Sequence, residues 1–184
     1  EEIHRLLLRK TDIRLMALGY TDVHLSERTL TQLAPRMTAP HAIDADVIGN
    51  GDGDSGRLLR ISPTIFYRLF GFETVFVDLF ATQQDALKID LNVPVNPEFH
   101  HSFDAVIDGG TIEHCFNAPQ AMANVARMVK LGGIATHGNP LFALNHGFYN
   151  FSPIFYRKFY EINGFEMCEF FVSQPSASGM TVWK

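Results

Sequence analysis

The sequence predicts an α/β domain built on a doubly wound, mainly parallel sheet, and three observations carry that prediction. The stretch Phe103-Asp104-Ala105-Val106-Ile107-Asp108-Gly109-Gly110 is an apolar run that ends in Asp-Gly-Gly. A buried parallel strand reads this way when its carboxyl end opens onto a ligand crevice. Strand-like runs alternate with helical patterns along most of the chain, as right-handed strand-helix-strand units require. The last two strand-like segments, 165–172 and 180–183, flank a short Ser/Gly/Pro turn and read as an antiparallel pair.

Each element follows in order. Residues 1–10 spell an amphipathic helix with acids first and bases last, as the helix dipole favours. Residues 13–18 form a buried strand that ends at Gly19. Ser26 caps a helix running to about Arg36. Residues 38–61, with Pro40 and the run Gly49-Asn50-Gly51-Asp52-Gly53-Asp54-Ser55-Gly56, read as a flexible insertion. Ser62-Pro63 opens a helix with Ile65, Phe66, Leu69 and Phe70 on one face, and Gly71 stops it. Strands follow at 74–79, 87–90 and 104–108. Asn117 caps a helix over 118–130, which Leu131-Gly132-Gly133 ends before a strand at 134–137. Ser152-Pro153 opens a last helix, stopped near Asn163-Gly164. The segments 62–73 and 152–166 resemble each other because both spell a capped helix, an aromatic face, a glycine stop and a strand.

With 184 residues and 46% hydrophobic content, the chain fits one domain over 1–184, burying roughly 70% of its unfolded surface. A net charge of -5 and the lack of a basic run argue against nucleic acid as a partner. No apolar run approaches the ~20 residues of a membrane span. The two cysteines, Cys115 and Cys168, have neither metal-type nor disulfide spacing, so a cytoplasmic location is the expectation. The chain opens on Glu1 rather than methionine, as a trimmed fragment would. A small-molecule acceptor and a homodimer are the partner expectations.

Candidate chemistry gathers after the strand ends. Asp78, Asp90 and Asp108 close three strands, and Gly19 and Gly109 let backbone approach a ligand. His114, beside Glu113, and His146, with Tyr149, are candidates for general-base catalysis or acceptor binding. His137 at a strand end is a further pocket-lining candidate. No metal is assigned, since no histidine pair has the i, i+4 spacing of a helical zinc motif. The Asn50-to-Ile61 run lacks the glycine and bidentate acid of an EF-hand, having Ser55 and Ile61 at those places. Cys115 reads as a buried, inert thiol.

Residues 72–166 resemble the class I S-adenosylmethionine-dependent methyltransferases. Within them, FDAVIDGGTIEHCFNAPQAMANVARMVKLGG is similar to the fourth strand, its loop and the next helix of that family. Asn145-His146-Gly147-Phe148-Tyr149-Asn150-Phe151-Ser152-Pro153 resembles a subfamily with His-Gly-Phe-Tyr at this place. The resemblance implies a methyltransferase-like Rossmann fold with seven strands, the last antiparallel. It implies S-adenosyl-L-methionine as cofactor, held by Gly19 and Tyr20, Asp78 and Leu79, Asp90 and Leu91, and Asp108 and Gly109. The implied function is methyl transfer to an oxygen or nitrogen of a small-molecule acceptor, a sugar or secondary-metabolite intermediate, with His146, His114 and Tyr149 as catalytic candidates. The loop after the first strand carries a single glycine, Gly19, which motivates the alternative of a non-catalytic module acting as scaffold or partner subunit. The absence of G-x-G-x-x-G argues against NAD.

Overall fold

The structure is a computed structural model that describes residues 12–38, 46–50, 57–176 and 179–183. The helix expected over 1–10 lies outside the described residues. The chain forms strands β1 (Arg14–Leu18), β2 (Val23–Ser26), β3 (Asp46–Asn50), β4 (Arg57–Ile61), β5 (Glu73–Val77), β6 (Ala86–Leu87), β7 (Phe103–Asp108), β8 (Val129–His137), β9 (Val172–Ser176) and β10 (Gly179–Trp183). Helices are α1 (Glu27–Leu33), α2 (Pro63–Leu69), α3 (Ala118–Met128) and α4 (Pro153–Ile162).

Five strands make the central sheet, in the order β6-β5-β1-β7-β8, and every neighbouring pair is parallel. Numbered as the chain enters that sheet, the order is 3-2-1-4-5, so the winding reverses between β1 and β7. Both faces of β1 are buried. Met16 and Leu18 join Val106, Val77 and the apolar sides of α3 and α4, while Leu15 and Ala17 join Phe76, Ala105 and Tyr67 of α2. Helices on both faces make the sheet doubly wound, and the strands carry the near-continuous apolar runs that such burial requires. Helix α3 shows the cause most plainly: Ala118, Ala121, Met122, Val125 and Met128 recur at helical spacing, and all are buried.

The structure departs from the sequence reading in several places. The sheet has five strands, not seven; β9 and β10 pair antiparallel in a separate ribbon. Phe165 turns inward against Tyr160, and Met167, Phe170 and Phe171 lie exposed, so no strand forms over 165–171. Within the expected insertion 38–61, β4 pairs antiparallel with both β2 and β3, giving a sheet in the order β2-β4-β3. Leu59 and Ile61 of that sheet are buried with Leu30, Met37 and Leu69. The strand expected at 87–90 is only Ala86–Leu87, and buried Asn124 organises the segment that follows from Leu91. Its Nδ2 donates to Leu91 O and Val93 O at 3.0 and 2.9 Å, and its Oδ1 accepts from Val95 N at 3.2 Å.

Finally, α3 ends at Met128, and Lys130–Gly133 bulge from the ladder between the pairs Phe103↔Val129 and Ala105↔Ile134. Gly133 is required there by a close approach, since a Cβ would lie 2.9 Å from Asp104 O. Ser26 caps α1 as expected, accepting from Thr29 N at 3.1 Å, whereas Ser62, Asn117 and Ser152 make no side-chain cap bond. Among the described residues, no helix is long and apolar enough to cross a membrane.

Candidate active site

The register aligns Leu18 with Val77 on one side and Asp108 on the other, so Gly19, Asp78 and Gly109 emerge side by side at the carboxyl rim. This rim is where the winding reverses, the place where open α/β sheets hold ligands. Gly19 has φ +86°, and its N–H donates to Val77 O at 2.7 Å. A Cβ on it would lie 2.8 Å from Thr111 Oγ1, so both backbone and space require glycine. A cavity of about 180 Å³ opens here, lined by Gly19, Thr21, Asp22, Tyr67, Ile107 and Gly109 among others.

Tyr20 donates its N–H to Asp78 Oδ2 at 3.2 Å. Its ring stands edge-on to Phe76 at 4.8 Å, and its hydroxyl meets Thr64 Oγ1 at 2.9 Å and Asp85 Oδ2 at 3.3 Å. The ring is therefore spoken for on the α2 face, and Tyr20 serves the rim through its backbone. Asp78 is half-buried and accepts Phe80 N at 2.9 Å on its other oxygen. Leu79 and Phe80 beside it are exposed, Phe80 to 86%. Asp90 accepts the backbone and side-chain N–H of Asn92 at 2.9 and 2.7 Å, and these bonds hold its carboxyl below the usual range. Leu91, expected at the cofactor, is a core residue at 5% exposure, drawn in by Asn124.

Asp108 also differs from the expectation that its carboxylate faces a ligand. It is 1% exposed and saturated. Its Oδ1 accepts the N–H groups of Thr111, Gly110 and Ile112 at 2.8, 3.3 and 3.3 Å. Its Oδ2 meets His137 Nδ1 at 2.9 Å and Asn139 Nδ2 at 2.8 Å. Burial pushes the Asp108 carboxyl up, but the His137 bond and charge, the Thr111 N–H and Asn139 together outweigh it, and the net shift is downward. His137 Nε2 lies 2.6 Å from the Tyr160 hydroxyl, and Tyr156 donates to Asn139 Oδ1. Burial, then the charge of Asp108, pushes the Tyr160 hydroxyl up, so it keeps its proton. His137 thus bridges the Asp108 carboxylate and the Tyr160 hydroxyl through its two ring nitrogens.

Asn139, Tyr156 and Tyr160 were missed by the sequence reading. The i, i+4 spacing of the two tyrosines on one helix was the available signal, though spacing alone cannot distinguish such a pair from an aromatic core face.

The second opening, of about 390 Å³, is lined by His114, Asn145, His146, Gly147 and Phe148. The 3₁₀ turn Ile112–His114 and the 145–149 loop meet here, with the His114 and His146 ring centroids 4.9 Å apart. Glu113 is 1% exposed; its Oε2 accepts Asn139 Nδ2 at 2.8 Å, and its Oε1 lies 3.5 Å from His146 Nε2. Tyr149 does not join them, because its hydroxyl donates to Phe116 O at 2.7 Å and anchors the loop.

Cys115 is buried, and its thiol is pushed up to about 11 by burial, then by the charges of Asp108, Asp90 and Glu113. A folded value raised above the ordinary ~8.5 contributes stability that is present below that value and is lost as pH rises toward 11. In the native protein at about pH 8, a thiol reagent is expected to label exposed Cys168 quickly and Cys115 only after denaturant is added. Equal, fast labelling of both would contradict this environment.

No family model, curated protein or solved structure matches the chain.

Proposed function

We propose that the chain is a Rossmann-like, S-adenosylmethionine-dependent methyltransferase acting on an oxygen or nitrogen of a small molecule. One observation carries the reading: a glycine-lined cavity at the β1/β7 reversal of a 3-2-1-4-5 parallel sheet, with Asp78 on the same rim. The residues around Asp78 fit the nucleoside part of the donor. Each Asp78 oxygen takes one backbone N–H, which leaves each a lone pair for one hydroxyl of a cis-diol. Exposed Leu79 and Phe80 offer an apolar face to a purine, and Gly109 has open space where a side chain would stand.

When bound, the donor supplies an electrophilic methyl group on a sulfonium. The chain's own part is to fix donor and acceptor at attack distance, which is worth up to ~7–11 kcal/mol. His146 and His114 border the wider opening and take the acceptor's proton at a ring nitrogen, with Glu113 orienting His146.

Two observations favour a second reading, a non-catalytic module of the same architecture. The Asp108 carboxylate is fully occupied by the protein, and the 180 Å³ cavity is smaller than the ~300 Å³ at which small-molecule sites usually begin. Calorimetry with S-adenosylhomocysteine separates the readings. Methyl transfer requires one-site binding that weakens at least ~tenfold, about 1.4 kcal/mol, in Asp78→Ala. No binding to the folded wild-type chain leaves only the module.

A further inference from the structure

We propose that Glu113, His114 and His146 bind one divalent transition-metal ion of the zinc class. One carboxylate oxygen and one ring nitrogen from each histidine all lie within 4.8 Å of one another. The His146 Nε2 to Glu113 Oε1 separation is 3.5 Å. Two tetrahedral ligands with ~2.1 Å bonds stand about 3.4 Å apart. That pair is therefore already at coordination spacing, and exposed His114 carries a ring nitrogen within 4.8 Å of both.

The carboxylate is arranged as a ligand. Asn139 holds Oε2 from behind and leaves Oε1 directed at the histidines, the support that metal-binding carboxylates usually receive. Charge argues the same way. Asn139 also serves Asp108, so two buried carboxylates share one neutral amide. Asp108 has His137 at 2.9 Å, whereas among the described residues His146 is the ion-pair partner of Glu113. A buried carboxylate with so little compensation favours a cation beside it.

The backbone fixes the spacing. Phe148 N donates to Glu113 O at 2.8 Å, and a Cβ at Gly147 would lie 2.8 Å from that same oxygen. Asn145 sits at φ +55°, a left-handed conformation uncommon outside glycine, and its loop carries His146 onto the Glu113 turn. Two imidazoles and one carboxylate suit zinc, cobalt, iron or manganese better than calcium or magnesium. The 390 Å³ opening leaves the remaining coordination positions facing outward, as in metal sites that act on a bound molecule. A ring nitrogen on a metal takes no proton, so the base role proposed above belongs to the metal-free protein. The sequence reading named all three residues but assigned no metal, because the ligands come from two loops rather than from the i, i+4 positions of one helix.

Chelator-treated full chain titrated with Zn²⁺ against a chromophoric competitor tests this, with Co²⁺ visible absorption as a second readout. Wild type is expected to bind one equivalent. His114→Ala, His146→Ala and the shape-preserving Glu113→Gln are each expected to weaken binding more than ~100-fold, beyond what loss of a supporting group alone usually costs. His24→Ala, at an exposed position on β2, is expected to change nothing. Circular dichroism checks that each variant folds, and the exposure of both histidines makes their variants the decisive ones. The proposal is overturned by wild type that binds no Zn²⁺, or by unchanged binding in the His114→Ala/His146→Ala double variant. Neither result bears on S-adenosylhomocysteine binding, which is read separately.

Discussion

Asp108→Ala is expected to lower stability at neutral pH by about 3–5 kcal/mol, the cost of removing one partner from a buried charge pair. The loss goes beyond the pair with His137. Three backbone N–H groups, the His137 ring and the Asn139 amide all converge on this carboxylate, and alanine leaves them without their acceptor. Asp108→Asn keeps the shape, loses the charge and is expected to cost less.

The pH dependence distinguishes charge from packing. The folded Asp108 carboxyl lies below its ordinary value, so its contribution is present above about pH 3.9 and is lost as pH falls through the folded value. The gap between wild type and Asp108→Asn in urea unfolding is therefore expected to be widest near neutrality and to narrow in acid. A gap that stays constant with pH would mean that the charge contributes nothing.

Gly147→Ala is expected to cost about 1–3 kcal/mol, the range of an overpacked site, and to disturb the histidine cluster as well. The new methyl would stand 2.8 Å from Glu113 O and 3.1 Å from Glu113 C, and these are backbone atoms that cannot rotate away. The loop must lift, and the bonds from Phe148 N and Tyr149 N to Glu113 O, at 2.8 and 3.3 Å, stretch with it. His146 then moves away from Glu113. Urea unfolding measures the first effect and the Zn²⁺ titration measures the second. Stability within ~0.5 kcal/mol of wild type would show that the loop relaxes without strain.

The order of burial was legible in the sequence. The runs expected at 13–18, 74–79 and 104–108 became adjacent parallel strands, the second ending at Val77 rather than 79, because continuous apolar sequence has few other places to go. The side-chain network around Asp108 was not legible. Its members come from β7, the end of β8, the Asn139 segment and two turns of α4, and only the fold sets their distances. The β2-β4-β3 sheet was obscured by the glycine-rich run between β3 and β4. Its signal was short: exposed Arg60 between buried Leu59 and Ile61, a period of two that three residues cannot distinguish from chance. Asp78 and Asp108 both end strands in apolar context, and sequence alone could not tell that one stays half-open while the other is consumed by its neighbours.

Strand β6 contributes only two ladder pairs, Phe76↔Ala86 and Val77↔Leu87, to the outer side of β5. Asp78 thus stands on the most thinly braced corner of the sheet, while β7 is clamped between two full neighbours. Native-state breathing draws on such low-stability corners first. A nucleoside gripping Asp78 would quieten the segment with the least rigidity of its own, so that part of its affinity would be spent on local ordering.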